Sequence, residues 1–457
     1  MQEELVQKVE EITTYLEERK FNKLRTLLID MNEVDIAEAL DEVTPEQTAL
    51  IYRLLPKAQA AEVFTYMDSD TREHLVSLLN DRELRLVMRD LFVDDVADML
   101  EEMPANVVKR MLKAASPEDR QEINRILQYP EDSAGSVLTT EFVDLKASMT
   151  VAKAFNYIRS YGPDKETIYT CYVTDNDRHL EGVITVKELL LAKSDDIVGD
   201  LMERNVISAV TTDDQEEVTA TFAKYDFIAL PVVDKENRLV GIITVDDIVD
   251  IIQEETTEDI EKMAAILPGD KPYLKTGIFE TVKNRIFWLL LLMISSTFTG
   301  MIITSFEKAL ASSIILTAFI PMLMNSGGNS GSQSSVTIIR SLALGDVSFS
   351  DIWRIIFKEC RVGFICGLVL SVANFAKMLF IDNFLFGSEI SIQIAAVVSL
   401  TLLATTVIAK FIGCTLPLLA KKIGFDPAVM ASPFITTLVD ALSLVFYFQI
   451  ASAILGL

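Results

Sequence analysis

The hydrophobic pattern along the chain changes period twice. Over residues 1–130 apolar residues recur three and four positions apart, and runs of strand character are almost absent, which predicts helices. Three related phrases keep that spacing and each precede a turn: DIAEAL from Asp35, QAAEVF from Gln59 and DVADML from Asp95. Thr44-Pro45-Glu46-Gln47 and Ser116-Pro117-Glu118-Asp119 read as helix starts. In each, a hydroxyl can accept from an orphan amide, and the proline falls where no amide is needed. The phrases are unevenly spaced, so this is a degenerate repeat folded as a small helical superhelix.

From about residue 135 the pattern becomes strands alternating with helices. TIYTCYVTD, HLEGVITVKELL and FIALPVVDKENRLVGIITVDDIVDII hold β-branched apolar runs between Asn, Asp and Gly turns. Gly182-Val-Ile-Thr-Val-Lys-Glu188 and Gly241-Ile-Ile-Thr-Val-Asp-Asp247 repeat one phrase, a tandem βαβ pair. The helix beginning near 246 then aligns Asp247, Asp250, Glu254, Glu258 and Glu261 on one face. Stacked like charges repel, so such a face gains stability when divalent cations bridge it. Pro268-Gly269 and Pro272 break the chain after it.

Five apolar stretches follow, at about 286–306, 310–338, 354–381, 391–420 and 427–456, each near the ~20 residues needed to cross a bilayer. Lys283, Arg285, Arg340, Arg354, Lys358, Arg361, Lys421 and Lys422 flank one side, against Lys308 and Lys377 on the other. That asymmetry puts the N-terminal region in the cytoplasm and a short C-terminus outside. The opening residues are charged throughout, unlike a secretory signal. The expected domains are a helical N domain (1–130), the βαβ pair (131–252), a connecting helix with linker (253–275) and a five-helix membrane domain (276–457).

Charge sharpens this division. Residues 1–270 hold 28 Lys and Arg against 58 Asp and Glu, a net of −30, while residues 271–457 hold 13 against 9, a net of +4. An acidic cytosolic part of this size argues against nucleic acid and for cations. Four cysteines, three of them in the membrane part, fit a reducing compartment. No cysteine has zinc spacing, and the two histidines, His74 and His179, read as surface residues, so no enzyme is expected.

Two phrases in the membrane part carry chemistry. Pro321-Met-Leu-Met-Asn-Ser-Gly327-Gly328-Asn329-Ser-Gly331-Ser-Gln333-Ser-Ser335 interleaves small and polar residues, and predicts an interrupted helix end lining a wet cavity. The last stretch carries Asp440 at its middle. A carboxylate there costs about 2.5–3.5 kcal/mol, so it calls for water, a cation, or a partner such as Lys410.

The repeated Gly-x-x-Thr phrases resemble a pair of CBS domains over about 137–255. That resemblance implies an adenine nucleotide such as ATP held by Thr244 and Asp247, with Thr185 and Glu188 in the first copy. The whole chain, in the order of its parts, resembles MgtE-type magnesium channels. This implies a homodimer in lipid with one pore on its axis, passing Mg²⁺ and closing when cytosolic Mg²⁺ is high. The pore carboxylate is then Asp440, with Pro321, Gly327, Gly328, Asn329, Gly331, Gln333, Ser432, Thr436 and Thr437 lining the path. The implied regulatory Mg²⁺ ligands are Glu62, Asp94 and Asp98 in the N domain, and Asp214, Glu216 and Asp226 in the second CBS copy. Asp247, Asp250, Glu255, Glu258 and Asp259 on the connecting helix, and Asp426 before the last span, complete the set. Other readings are a Co²⁺- or Ni²⁺-tolerant pathway, a coupled carrier, or a membrane-anchored nucleotide sensor.

Overall fold

The computed structural model describes all residues except 1, 102, 270–272, 275, 307–313, 384–389, 431 and 457, and excludes the side chains of 2–5, 164 and 432. Pro272, Lys308 and the Ser432 side chain, singled out above, therefore lie outside the described residues. The chain divides into two compact units, residues 1–251 and 252–457.

The first unit opens with helices α1 (Gln2–Glu17) to α10 (Pro117–Ile126). Their starts obey the capping chemistry read from the sequence. The Thr44 hydroxyl accepts from the Gln47 amide while the Thr44 amide donates to Gln47 Oε1 at 3.0 Å, with Pro45 in the first turn. Ser116 accepts from the Asp119 amide at 3.0 Å. Helices this short are marginal alone. They are held by a core through Ile36, Leu40, Phe64, Met88, Val96 and Leu100 that continues into Val218, Phe222, Leu230 and Ile243.

Two like sheets follow. Strand β1 (Val143–Leu145) pairs in parallel with β2 (Thr170–Thr174), and β2 pairs antiparallel with β3 (Leu180–Thr185). The second sheet repeats this with β4 (Ala209–Val210), β5 (Ala229–Val233) and β6 (Leu239–Thr244), down to a register shift at the end of the middle strand. The crossovers are α11 (Val151–Tyr161) and α14 (Gln215–Tyr225), with α12 (Val186–Leu191) and α13 (Val198–Leu201) between the copies. Phe142, Tyr172, Ala229, Leu239 and Ile242 form one apolar cluster joining the two halves. Helix α15 (Val245–Met263) begins directly after β6 and runs unbroken through Glu255, Glu258 and Asp259.

The second unit is built from α16 (Ile278–Ser305), α17 (Ile320–Ala343), α18 (Ile352–Lys377), α19 (Ile392–Lys422) and α20 (Ser432–Leu455). Among the described residues, four stretches are long and apolar enough to cross a membrane: 278–305, 349–382, 392–422 and 428–455. The expected second span differs. Residues 310–313 of it lie outside the described residues, a 3-10 helix (Ile314–Phe319) leads directly into α17, and the Asn, Gln and Ser residues of α17 keep it outside that apolar group. The expected interruption is also corrected, because residues 320–343 form one continuous α-helix. Pro321 sits in its first turn, where a missing amide breaks nothing.

The glycines of α17 permit close packing. A Cβ on Gly327 would lie 2.6 Å from Thr405 Cγ2, on Gly328 2.8 Å from Thr436 Cγ2, and on Gly331 2.8 Å from Ile435 Cγ2. At Gly413 of α19 a Cβ would overlap the Gly331 carbonyl. This is the small-residue contact that lets helix backbones approach inside a membrane. Helix α16 instead leaves Phe287, Leu290 and Met293 exposed, and touches α20 at its end, where Phe306 stacks on Phe448 with centroids 4.6 Å apart.

Substituting Gly413→Ala should push α19 off α17 and cost about 1–3 kcal/mol, the range for overpacking. A lowered melting temperature of the detergent-purified protein would register it. An unchanged melting temperature would refute the close contact.

Candidate functional site

Helix α17 exposes Pro321, Asn325, Asn329 and Gln333, four residues apart, so they form one polar stripe. Asn329 Nδ2 donates to Asn325 Oδ1 at 3.2 Å along it. Gly327, Gly328 and Gly331 point away from the stripe and are buried, so they pack rather than line it. Through Gly328 the stripe's helix meets Thr436 of α20, and Asp440 lies one turn further along the same face. Thr437 donates its hydroxyl to the Pro433 carbonyl at 3.0 Å. Asp440 Oδ1 is buried with no hydrogen-bond partner. Lys410 does not supply one, since its ammonium donates to Gln333 Oε1 at 3.4 Å.

A second constellation lies in the first unit, where α8 (Val93–Glu101) and the start of α15 carry facing carboxylates. Burial, then Asp95, Asp247, Glu141 and Glu166, raise the Asp94 carboxyl well above its usual range, and its Oδ1 is buried without a partner. Burial, with Asp247, Asp98 and Asp246, pushes Asp95 up to about 7 despite Arg72. Glu166 rises to about 7 by burial and the charges of Asp246, Asp95, Asp247 and Glu141. Asp247 rises to about 6 by burial, while its bond from Thr244 pulls the other way. Asp98 and Asp250 are raised by burial first. Glu62 joins this neighbourhood, because its charge, with those of Asp95, Asp246 and Asp250, reaches the Tyr66 hydroxyl.

The structure thus brings Glu62, Asp94, Asp98, Asp247 and Asp250 into one neighbourhood, and adds Asp95, Asp246, Glu141 and Glu166. Asp95 and Asp246 sit beside residues already singled out, so their phrases contained the signal. Glu141 and Glu166 come from segments with no acidic motif, and only the fold brings them in. Asp214 caps α14 by accepting from the Glu216 amide at 2.9 Å, and Asp226 ends that helix in the left-handed region at φ 53°.

The predicted nucleotide residues are engaged locally. Thr244 donates its hydroxyl to Asp247 Oδ2 at 2.6 Å, and Thr185 donates to Glu188 Oε2 at 2.8 Å within the capping box of α12.

A third site lies in the second unit at the end of α15. Lys262 Nζ stands 2.6 Å from Glu258 Oε1 and 2.7 Å from Asp426 Oδ2. Burial lowers the Lys262 pKa, but its bonds to Asp426 and Glu258 outweigh that and raise it. Burial and Asp426 push Asp259 up, against Lys262 and Arg340. Met263 packs on Ile339 and Ala428, seating the helix end on α17 and on the segment before α20. Glu255 lies one turn before Glu258 on α15.

Among the described residues, one group of three ligand atoms lies within 4.8 Å of one another: Asp175, Asp177 and His179. It is a hairpin turn, with Asp175 Oδ1 accepting from the amides of Asp177 and His179 at 2.8 Å. Asp234 makes the same turn in the second copy with Glu236 and Arg238. The acidic constellations are looser, a spacing that suits an ion that keeps its waters.

A carboxyl whose pKa is raised by folding stabilises the fold below its unfolded value and loses that contribution as pH rises through the folded value. For Asp95, Glu166 and Asp247 the window runs from about 4 to about 7. In chelator, the melting temperature of the cytosolic transition should fall as pH rises from about 5 to about 7, and Asp95→Asn should flatten that slope. Equal slopes in both proteins would contradict the clustering.

Helices long and apolar enough to cross a membrane, preceded by an acidic helix and a paired βαβ module, define an integral membrane protein with a large N-terminal part outside the bilayer. The chain belongs to the MgtE family. A model described as "Divalent cation transporter" matches residues 320–450, "MgtE intracellular N domain" matches 31–132, and "CBS domain" matches 134–195 and 198–254. The Magnesium transporter MgtE of Thermus thermophilus is 35% identical over 100% of this chain and 99% of its own. That of Bacillus subtilis is 34% identical over 93% and 95%. The crystal structure of the cytosolic domain of the Mg²⁺ channel MgtE in complex with ATP matches 53% of this chain and 99% of its own, at 36% identity and TM-score 0.51.

Proposed function

We propose that this chain forms a homodimeric, Mg²⁺-selective channel for magnesium uptake across the cell membrane, gated by cytosolic Mg²⁺. One observation carries the reading: Asp440, in an apolar helix packed against the helix that bears the polar stripe, has a buried oxygen without a partner. Two such carboxylates on a dimer axis repel unless a cation lies between them. Magnesium gives up its waters reluctantly, so hydroxyls and amides at Thr436, Thr437, Asn329 and Gln333 would serve its hydration shell. The names of the relatives support the choice of ion. In this reading α17 is the second of five spans, the boundaries fall near 130, 252 and 275, and the C-terminus lies outside.

Gating rests on repulsion. The carboxylates of α8 and α15 oppose one another, as do Glu258, Asp259 and Asp426 around Lys262. All offer hard oxygens suited to Mg²⁺. Bridging these groups favours the closed arrangement, and this differential binding makes the transported ion its own regulator. Asp214, Glu216 and Asp226 of the second CBS copy are further ligands in this reading. No catalytic reaction is assigned. ATP in the CBS cleft is a second ligand in this reading, supported by the ATP-bound relative. Its ribose would have to draw Asp247 from Thr244. Passage of Co²⁺ or Ni²⁺ by the same oxygens is the alternative for selectivity.

Asp440→Asn should reduce Mg²⁺ flux into proteoliposomes by at least tenfold while the dimer still forms, given the strength of buried charge on a divalent ion. Normal flux would end the pore assignment. Neutralising Asp247, Asp250, Glu255, Glu258 and Asp259 together should leave currents open at high cytosolic Mg²⁺. Closure as in the unaltered protein would refute gating by bridging.

A further inference from the structure

Lys410 lies within the apolar stretch of α19 and is only 6% exposed. Its stem crosses Gly363 of α18, where a Cβ would stand 3.1 Å from Lys410 Cγ. Among the described residues no carboxylate lies within ion-pair distance of its ammonium, whose bond goes to Gln333 Oε1 at 3.4 Å. Glu359, one turn before Gly363, is engaged by the Ser334 hydroxyl instead. Ionisable residues inside a membrane bundle are expensive and mark functional paths.

Gln333 belongs to the exposed stripe with Asn325 and Asn329. Val439 packs at Gly327, so Asp440 is near the level of Gly327. Gln333 is six residues further along α17, about 9 Å towards the Arg340 end. Lys410 therefore reaches the stripe from behind, on the cytoplasmic side of Asp440.

We propose that Lys410 is a positioning residue for the ion path: it fixes the Gln333 amide and places a resident positive charge behind the stripe that speeds release of a divalent cation from Asp440. This rests on the reading of Asp440 as the pore carboxylate. With only carboxylates acting on it, a divalent ion would bind tightly and leave slowly. A nearby fixed cation weakens that grip in surroundings that screen it poorly.

The test is Mg²⁺ influx into proteoliposomes holding the full-length protein, measured against external Mg²⁺ for Lys410→Met, Lys410→Gln and Lys410→Arg. Removing the charge, in Met and Gln alike, should lower the half-saturating Mg²⁺ by about tenfold and lower maximal influx with it. Arginine keeps its charge at any working pH, so it should restore both. A merely structural role would reduce maximal influx and leave half-saturation unmoved, and that result overturns the proposal. Recovery by Gln but not Arg also overturns it, because the hydrogen bond rather than the charge would then matter. Asp440→Asn is measured in parallel. If its half-saturation and maximum are normal, the pore reading fails and the Lys410 proposal falls with it, whereas an impaired Asp440→Asn beside an unmoved half-saturation in Lys410→Met overturns the Lys410 proposal alone.

Discussion

A carboxylate cannot rest in an apolar helix bundle with nothing to meet its charge, and the arrangement of the membrane part follows from that constraint at Asp440. Its buried oxygen has no partner, so the surrounding helices must offer polar groups without closing over it. Helix α17 does this by dividing its two faces. Glycines on one face let Thr405, Thr436 and Ile435 approach, and Asn325, Asn329 and Gln333 on the other remain exposed. Small residues here do not loosen the helix. They set how closely α17 packs against α19 and against α20, which carries Asp440.

The same constraint recurs outside the membrane with the opposite remedy. The carboxylates of α8 and α15 share a half-buried neighbourhood, and burial together with mutual repulsion raises their affinity for protons. Such a cluster stores unfavourable charge that any bound cation relieves. At the far end of α15, Lys262 already supplies a cation between Glu258 and Asp426. One helix therefore carries both an acidic cluster that Arg72 offsets only in part and one with a lysine at its centre, and Met263 anchors its end on α17 through Ile339. A change of charge at this end has a direct route to the helix bearing the polar stripe.

How much of this was legible in the sequence depends on the range of the interaction concerned. Helix starts at Thr44 and Ser116, the doubled Gly-x-x-Thr phrase and the acidic face of α15 follow from neighbours within four residues, and each reads correctly from the chain. The motif order was enough to indicate the MgtE family. The glycine-rich phrase was misjudged, because glycine and proline weaken a helix locally while packing against α19 and α20 sustains it. Asp440 stood out by itself, since a charge in an apolar run is a local anomaly.

What the sequence determined alone, then, is the kind of element at each position and the one charge that its surroundings do not explain. Only the tertiary structure decided which charges meet. Glu166 joins Asp95 and Asp247, Lys410 turns to Gln333 rather than Asp440, and Lys262 enters between Glu258 and Asp426. The reason is physical: propensity and capping act over a turn of helix, whereas burial and Coulomb forces act across whatever the packing brings together.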